Sequence, residues 1–199
     1  MTYRRKDAHY RRARAAGYRS RSAYKLADLD ARFRLLRRGD FVIDLGAWPG
    51  GWLQVALERV GPEGRIVGVD LAAIDPLPAP NVVLVTGDVR DAATCQAVLA
   101  HLQRPADVVL SDLAPKLTGI RDTDHAHSAE LVEATLGALP SLLRPGGRLL
   151  MKLFMSDAYP ETLQQLRMRF ADVRTTRPEA TRPGSAELYA VGREHRALG

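Results

Sequence analysis

The sequence predicts an α/β protein built on a mostly parallel, doubly wound sheet, and three observations carry that prediction. Short apolar runs recur at about 40–45, 65–70, 81–88, 107–112 and 148–154, each bounded by turn residues. Such runs are what strands covered on both faces look like. Stretches with helical spacing of apolar residues lie between them, and this alternation fits right-handed parallel crossovers. The third observation is the break at 46–51, where Gly46, Pro49, Gly50 and Gly51 end the first run and open a helix marked by Leu53, Val55, Ala56 and Val60.

Taken in order, residues 1–20 show neither period. They are expected to be a flexible basic tail that orders on a partner, ahead of a single domain at 21–199. Ser20 or Ser22 can cap a helix through Tyr24, Leu26, Leu29 and Phe33, with Lys25 beside that stripe. The prolines at 76, 78 and 80 forbid a long helix after the second strand. A helix is expected at 91–101, and a loop past the fourth strand at 114–121. A helix at 128–143 closes on Arg144-Pro-Gly-Gly147 before the strand at 148–154. A last helix spans 160–170, and 172–176 pairs with 187–191 as a terminal hairpin.

The turn at 46–51 is not the GxGxxG fingerprint that seats a diphosphate on a helix N-terminus, which disfavours a nicotinamide oxidoreductase. Asp44 just before it would repel a diphosphate and suits a cationic ligand. S-adenosylmethionine, with its sulfonium and amino groups, is such a ligand. Glycine at such a turn allows the backbone to approach a ligand closely. Asp44, Asp70, Asp88 and Asp112 all fall at or near carboxyl ends of strands, where open α/β sheets bind ligands. There Asp70 can accept from ribose hydroxyls and Asp88 from an adenine amino group. Lys152 interrupts the apolar run Leu149-Leu150-Met151-Lys152-Leu153-Phe154. A buried ammonium needs partners, so Lys152 is expected to belong to a site, with Asp112 and Glu187 to orient it and Lys25 nearby.

Charge is unevenly placed. Residues 1–38 hold thirteen Lys or Arg against three Asp, a net of +10 in a chain of net +6, so the remainder is −4. With Tyr3, Tyr10 and Tyr18 interleaved, this is the footprint of polyanion binding, and it disfavours a purely small-molecule enzyme. No apolar stretch approaches a membrane span, and the lone Cys95 cannot form an internal disulfide, so a reducing, cytoplasmic home without membrane contact is expected. His125 and His127, near Asp122 and Asp124, do not match metal-ligand spacing; they are expected in a substrate loop, with no metal.

Five segments, Ser20-Arg-Ser-Ala-Tyr-Lys-Leu26, the DLGAWPGGW run at 44–52, Ser111-Asp-Leu-Ala-Pro115, Met151-Lys-Leu-Phe154 and Ser185-Ala-Glu-Leu-Tyr189, resemble in order and spacing the FtsJ-type ribose 2′-O-methyltransferases. The likeness covers about residues 18–192 and is greatest to bacterial members that methylate a uridine of 23S ribosomal RNA in the large subunit. It implies a Rossmann-like methyltransferase fold with an antiparallel C-terminal strand and a catalytic tetrad at Lys25, Asp112, Lys152 and Glu187, while the charge of the tail at 1–20 makes that tail an expected RNA-binding segment. The likeness also implies S-adenosylmethionine bound by Gly50, Trp52, Asp70, Asp88 and Asp112, to which the reading of the turn adds Asp44 and Gly46; a monomer is expected. Trp48 and Lys116 depart from the family pattern, at the methionine end of the pocket and beside the substrate groove. A ribosome-assembly factor with dispensable chemistry, or a 2′-O-methyltransferase of another RNA such as tRNA, would share much of this pattern.

Overall fold

A computed structural model describes residues 15–115, 118–156, 158–178, 181 and 186–197. Its strands are β1 (Phe41–Leu45), β2 (Arg65–Asp70), β3 (Val82–Thr86), β4 (Ala106–Ser111), β5 (Leu143–Phe154), β6 (Phe170–Thr176) and β7 (Glu187–His195). They form one sheet in the order β3-β2-β1-β4-β5-β7-β6. The first five pair in parallel, and β7 lies antiparallel between β5 and β6. The helices are α1 (Ala23–Phe33), α2 (Gly51–Val60), α3 (Ala92–Leu102), α4 (Arg121–Leu142) and α5 (Tyr159–Arg169).

The period-two alternation of the strands divides the core into two layers. Val42, Ile66, Val108, Leu110, Leu150, Tyr189 and Val191 pack with residues of α1 and α2. Ile43, Leu45, Val67, Val109, Leu149, Met151 and Ala190 pack with residues of α3, α4 and α5 on the other face. The same parity decides where the polar residues go. Asp44 follows Val42, Lys152 follows Leu150, and Glu187 precedes Tyr189 by two. All three therefore share the α1–α2 face, toward the carboxyl ends of the parallel strands.

At the amino ends of the strands a buried ion pair fixes the frame. Arg148 Nη2 donates to both oxygens of Asp40 at 2.9 Å, and Nη1 donates to the Leu35 carbonyl at 2.5 Å. It ties the start of β1 and the loop after α1 to β5.

Four expectations are corrected. Ser22 is the N-cap of α1, but its hydroxyl pairs with that of Ser20 at 2.7 Å and does not cap the helix. Helix α4 begins at Arg121, seven residues before the expected start, so Asp124, His125 and His127 are helical and not in a loop. The early start has a physical cause: Asp124 accepts from the backbone and hydroxyl of Thr118 at 2.7 and 2.8 Å and from Gly119 N at 3.2 Å. These bonds bind the first turn of α4 to the preceding loop and hold the Asp124 carboxyl below its usual range. Third, Arg144-Pro-Gly-Gly147 lies inside β5, absorbed by a register shift against β4 between Ala106 and Val108. Fourth, residues 17–20 do not continue the tail but seat on α2. Tyr18 donates to Glu58, Arg19 N to Gln54 Oε1 at 2.7 Å, and Gln54 Nε2 to the Gly17 carbonyl at 2.8 Å. Residues 1–14, Lys116 and Ser185 lie outside the described residues.

Candidate active site

Strand order reverses at β1 and β4, and a cleft of about 280 Å³ opens outside their carboxyl ends. Gly46, Trp48, Asp70, Asp88 and Asp112 line it. Asp70 organises one wall: Oδ2 accepts from Trp48 N and Oδ1 from Ala72 N, each at 2.9 Å, so the turn after β1 is held against the end of β2. Gly46 has φ +81°, and a Cβ there would sit 3.0 Å from Leu113 N. Any side chain would push the turn off the end of β4. Asp88 is gripped side-on by Arg90, with Nε 3.0 Å from both oxygens and Nη2 2.6 Å from Oδ2. Those bonds hold its carboxyl below the ordinary range.

Asp44 is fully buried, and neither of its oxygens has a hydrogen-bond partner among the described residues. Its pKa is pushed well above the usual carboxylate value, first by burial and then by the charges of Asp112 and Asp70. A buried carboxyl beside two other carboxylates is relieved by a cation placed next to it. This orphaned acid is the structural observation that fits S-adenosylmethionine, whose sulfonium and amino groups are cationic.

Three expected cofactor residues are not among those lining the cleft: Asp44, which is fully buried, and Gly50 and Trp52. The Trp52 indole donates to the Ser22 carbonyl at 2.8 Å and its ring lies 6.0 Å from that of Tyr189. A Cβ on Gly50 would lie 2.8 Å from Arg19 Nη1, and one on Gly51 2.2 Å from Ser20 Oγ. At Gly50 the backbone itself, at φ +107°, favours glycine, and at Gly51 the packed Ser20 leaves no room for a Cβ. Trp48 is 60% exposed at the lip of the cleft.

Beside the cleft, two ion pairs assemble from four elements. Lys152 of β5 donates to Asp112 Oδ1 at 2.9 Å and to the Asp112 carbonyl at 2.8 Å. Lys25 of α1 meets Glu187 of β7 at 2.5 Å. The residue between them is Tyr189, the cross-strand partner of Lys152, whose hydroxyl donates to Asp112 Oδ1 at 2.8 Å. Burial first, then the charges of Asp112 and Glu187 and hydrogen bonds to both, raise its pKa well above the usual phenol value. Tyr189 is thus a neutral donor tying both pairs together, with Lys25 Nζ 5.7 Å from its ring centre. Sequence reasoning gave Tyr189 no place in the site. The available signal was its spacing, two residues from Glu187 on a strand and hence on the same face.

The structure thus brings Asp112, Lys152, Glu187 and Lys25 together, with Asp44 buried near Asp112 and with Gly46, Asp70 and Asp88 in the adjoining walls. Among the described residues, no group of three or more His, Cys, Asp or Glu side chains could hold a metal ion, and no helix is long and apolar enough to cross a membrane.

Residues 18–195 match the model of the FtsJ-like methyltransferases. A protein of Methanothrix thermoacetophila named ribosomal RNA large subunit methyltransferase E is 47% identical over 189 residues, covering 95% of this chain and 72% of that protein. The protein of the same name from Methanothermobacter thermautotrophicus is 44% identical over 191 residues, covering 96% of this chain and 90% of its own. Among solved structures, a Plasmodium falciparum protein assigned as a ribosomal RNA methyltransferase superposes with TM-score 0.81 at 30% identity, over 89% of this chain and 98% of that one. Aeropyrum pernix fibrillarin, crystallised with S-adenosylmethionine, shares the fold at TM-score 0.60 and 19% identity, over 88% and 75% of the two chains. Matched from the seated segment at residue 18 to the last strand, with the lysine and carboxylate residues inside that span, the chain belongs to the FtsJ-like methyltransferase family.

Proposed function

We propose that this protein uses S-adenosylmethionine to methylate a ribose 2′-hydroxyl in RNA, and that its substrate is a uridine of 23S ribosomal RNA in the large subunit. It would act as a cytoplasmic monomer. The observation that carries the reading is the pair of lysine–carboxylate contacts joined through Tyr189, beside a cleft that adjoins an orphaned buried acid. The names borne by the relatives support the choice of RNA.

When bound, S-adenosylmethionine supplies an electrophilic methyl on a sulfonium. Asp44, Gly46, Asp70, Asp88 and Asp112 would hold it: the buried acids toward its cationic end, Asp70 and Asp88 toward ribose and adenine. Gly50 and Trp52 would contribute through the shape of the turn. What remains for the protein is to align the 2′-hydroxyl and manage its proton. Lys152, in its neutral form, takes that proton, and its two contacts to Asp112 fix where the amine points. Lys25, set by Glu187, steadies the oxygen as negative charge develops. The Tyr189 hydroxyl keeps the two carboxylates in one register.

Transfer of label from S-adenosylmethionine into large subunits, free RNA and small molecules, followed by mapping of the modified nucleotide, tests the whole reading. The expected product is a 2′-O-methyluridine in large-subunit RNA. Label in a base, in tRNA alone or in small molecules alone would overturn it.

A further inference from the structure

The basic segment at 1–38 reads as one feature in the sequence, but the fold splits it. Lys25 and Arg19 are taken up near the cleft, by Glu187 and by the carbonyls of Asp75 and Pro76. Arg32, Arg34 and Arg37 are carried to the other end of α1. There, with Arg144, Arg148 and Arg193, they line a second cleft of about 550 Å³ in which Glu194 is the one acid.

This cleft lies at the amino ends of the parallel strands, away from the lysine pairs. Four residues of β5 separate Arg148 from Lys152, about 13 Å at strand rise. Nine residues along α1 separate Lys25 from Arg34, about 13 Å at helix rise. Along β7, Arg193 is six residues from Glu187, about 20 Å.

The acids facing the cleft account for only part of its charge. Arg148 is matched by Asp40, Arg144 by Asp107, Arg32 by Asp28 at 3.4 Å, and Arg193 stands 3.8 Å from Asp172. Arg34 and Arg37 are exposed, and neither side chain makes a hydrogen bond or ion pair among the described residues. Their backbone, in contrast, is rigidly held. Leu35 and Leu36 are buried, Leu36 N donates to Asp30 Oδ1 at 2.8 Å, and Arg37 N donates to Asp40 Oδ2 at 2.7 Å. Arg34 ends α1 with φ +50°, a left-handed conformation that glycine adopts without strain and arginine does not. Its backbone N–H donates to the Asp30 carbonyl at 2.7 Å and closes the helix, while its side chain has no partner among the described residues. Gln103 ends α3 in the same conformation, at φ +68°, so the turn itself is a helix cap; what points to a ligand is two exposed cations without partners among the described residues, set beside four more arginines.

We propose that this cleft is a second RNA-contact site, in which Arg34 and Arg37 grip backbone phosphates several nucleotides from the ribose at the lysine pairs. It rests on the reading of RNA as substrate and adds where a distant part of that RNA is held. Guanidinium groups on a fixed loop suit phosphate oxygens, and such contacts set position without reading sequence. The cleft then acts as a ruler: an RNA long enough to reach from one site to the other gains affinity, and a short one does not.

The test compares the wild type with the double variant Arg34→Gln/Arg37→Gln, using a large-subunit RNA fragment and a short oligonucleotide around the modified nucleotide. For the long RNA, the slope of log affinity against log salt should fall by about 1.4 to 1.8, since two phosphates are no longer neutralised. Its KM should rise about tenfold or more at low salt while single-turnover rate at saturation and S-adenosylmethionine affinity stay within twofold. The short oligonucleotide should bind both proteins alike. Arg34→Gly should raise the melting temperature while weakening the binding of long RNA, separating the ligand from the fold. An unchanged slope and KM on long RNA that the wild type does methylate would overturn the second site alone. Failure of the wild type to methylate any RNA would overturn the substrate reading and this inference with it. Equal weakening on short and long RNA would also overturn it, since both ligands would then depend on the charge without spanning the distance.

Discussion

Lys152 shows how one side chain in an apolar strand can be explained only by its partners. Its ammonium would be costly to bury alone, and Asp112 supplies two acceptors. Lys152→Met keeps the length and removes the amine, so methyl transfer should fall by about 10² to 10⁴-fold while S-adenosylmethionine still binds within a few-fold. Single-turnover rates and calorimetry measure the two separately; near-normal turnover would refute the assignment. Asp44 offers a different test. Because its folded-state pKa is raised, ligand-free folded protein holds a proton that the unfolded chain has lost. Stability should then fall as pH rises from the ordinary carboxylate range toward that raised value. Asp44→Asn should abolish this slope, leave the ligand-free protein more stable than wild type at neutral pH, and weaken S-adenosylmethionine binding. Urea titrations across pH decide it, and a variant with the wild-type slope would mean that the burial of Asp44 is not what disfavours its charge.

The elements around the cleft are held by a strap that the sequence did not announce. Arg19 donates from Nη1 to the Asp75 carbonyl at 2.5 Å and from Nη2 to the Pro76 carbonyl at 2.8 Å, with Pro49 O 3.4 Å away. It thereby joins the turn carrying Trp48 to the loop after β2, both of which wall the cleft. Arg19→Ala should weaken S-adenosylmethionine by roughly two- to tenfold, in line with the loss of about 0.5–1.5 kcal/mol of net hydrogen bonding. An unaltered affinity would make the strap purely structural. At the opposite edge, Arg148→Met would leave Asp40 buried without its guanidinium partner. Breaking a buried pair in this way costs about 3–5 kcal/mol, which chemical denaturation would show as an early unfolding midpoint.

For the molecule as a whole, the separation of tail, cleft and strap makes truncations informative. Residues 1–14 carry six Lys or Arg against Asp7. Removing them should flatten the salt dependence of RNA binding, by about 0.7 in slope for each single-strand phosphate left without its cation, and leave S-adenosylmethionine affinity unchanged. Removing residues 1–20 should do both kinds of damage, because Arg19 and the packing of Ser20 on Gly51 go too. Equal cofactor affinity in the two truncated forms would sink the distinction.

Periodicity made the sheet, its strand sequence and the acids at the strand ends legible, because burial on one face or two imposes a repeat on neighbouring residues. The lysine and carboxylate residues were legible through Lys152, a charge that an apolar strand cannot keep without company, and through the spaced segments of the family likeness. Boundaries followed less well. The start of α4 rests on Asp124 reaching back to Thr118 and Gly119, and Pro-Gly-Gly within β5 rests on a partner strand that absorbs the shift. Contacts between segments distant in the chain left no local pattern at all. That Gly51 makes room for Ser20, that Tyr189 bridges Asp112 and Glu187, and that the basic stretch divides between two ends of α1 depend on which surfaces meet. Local residue order sets the period of each element, but packing between elements sets what each side chain touches.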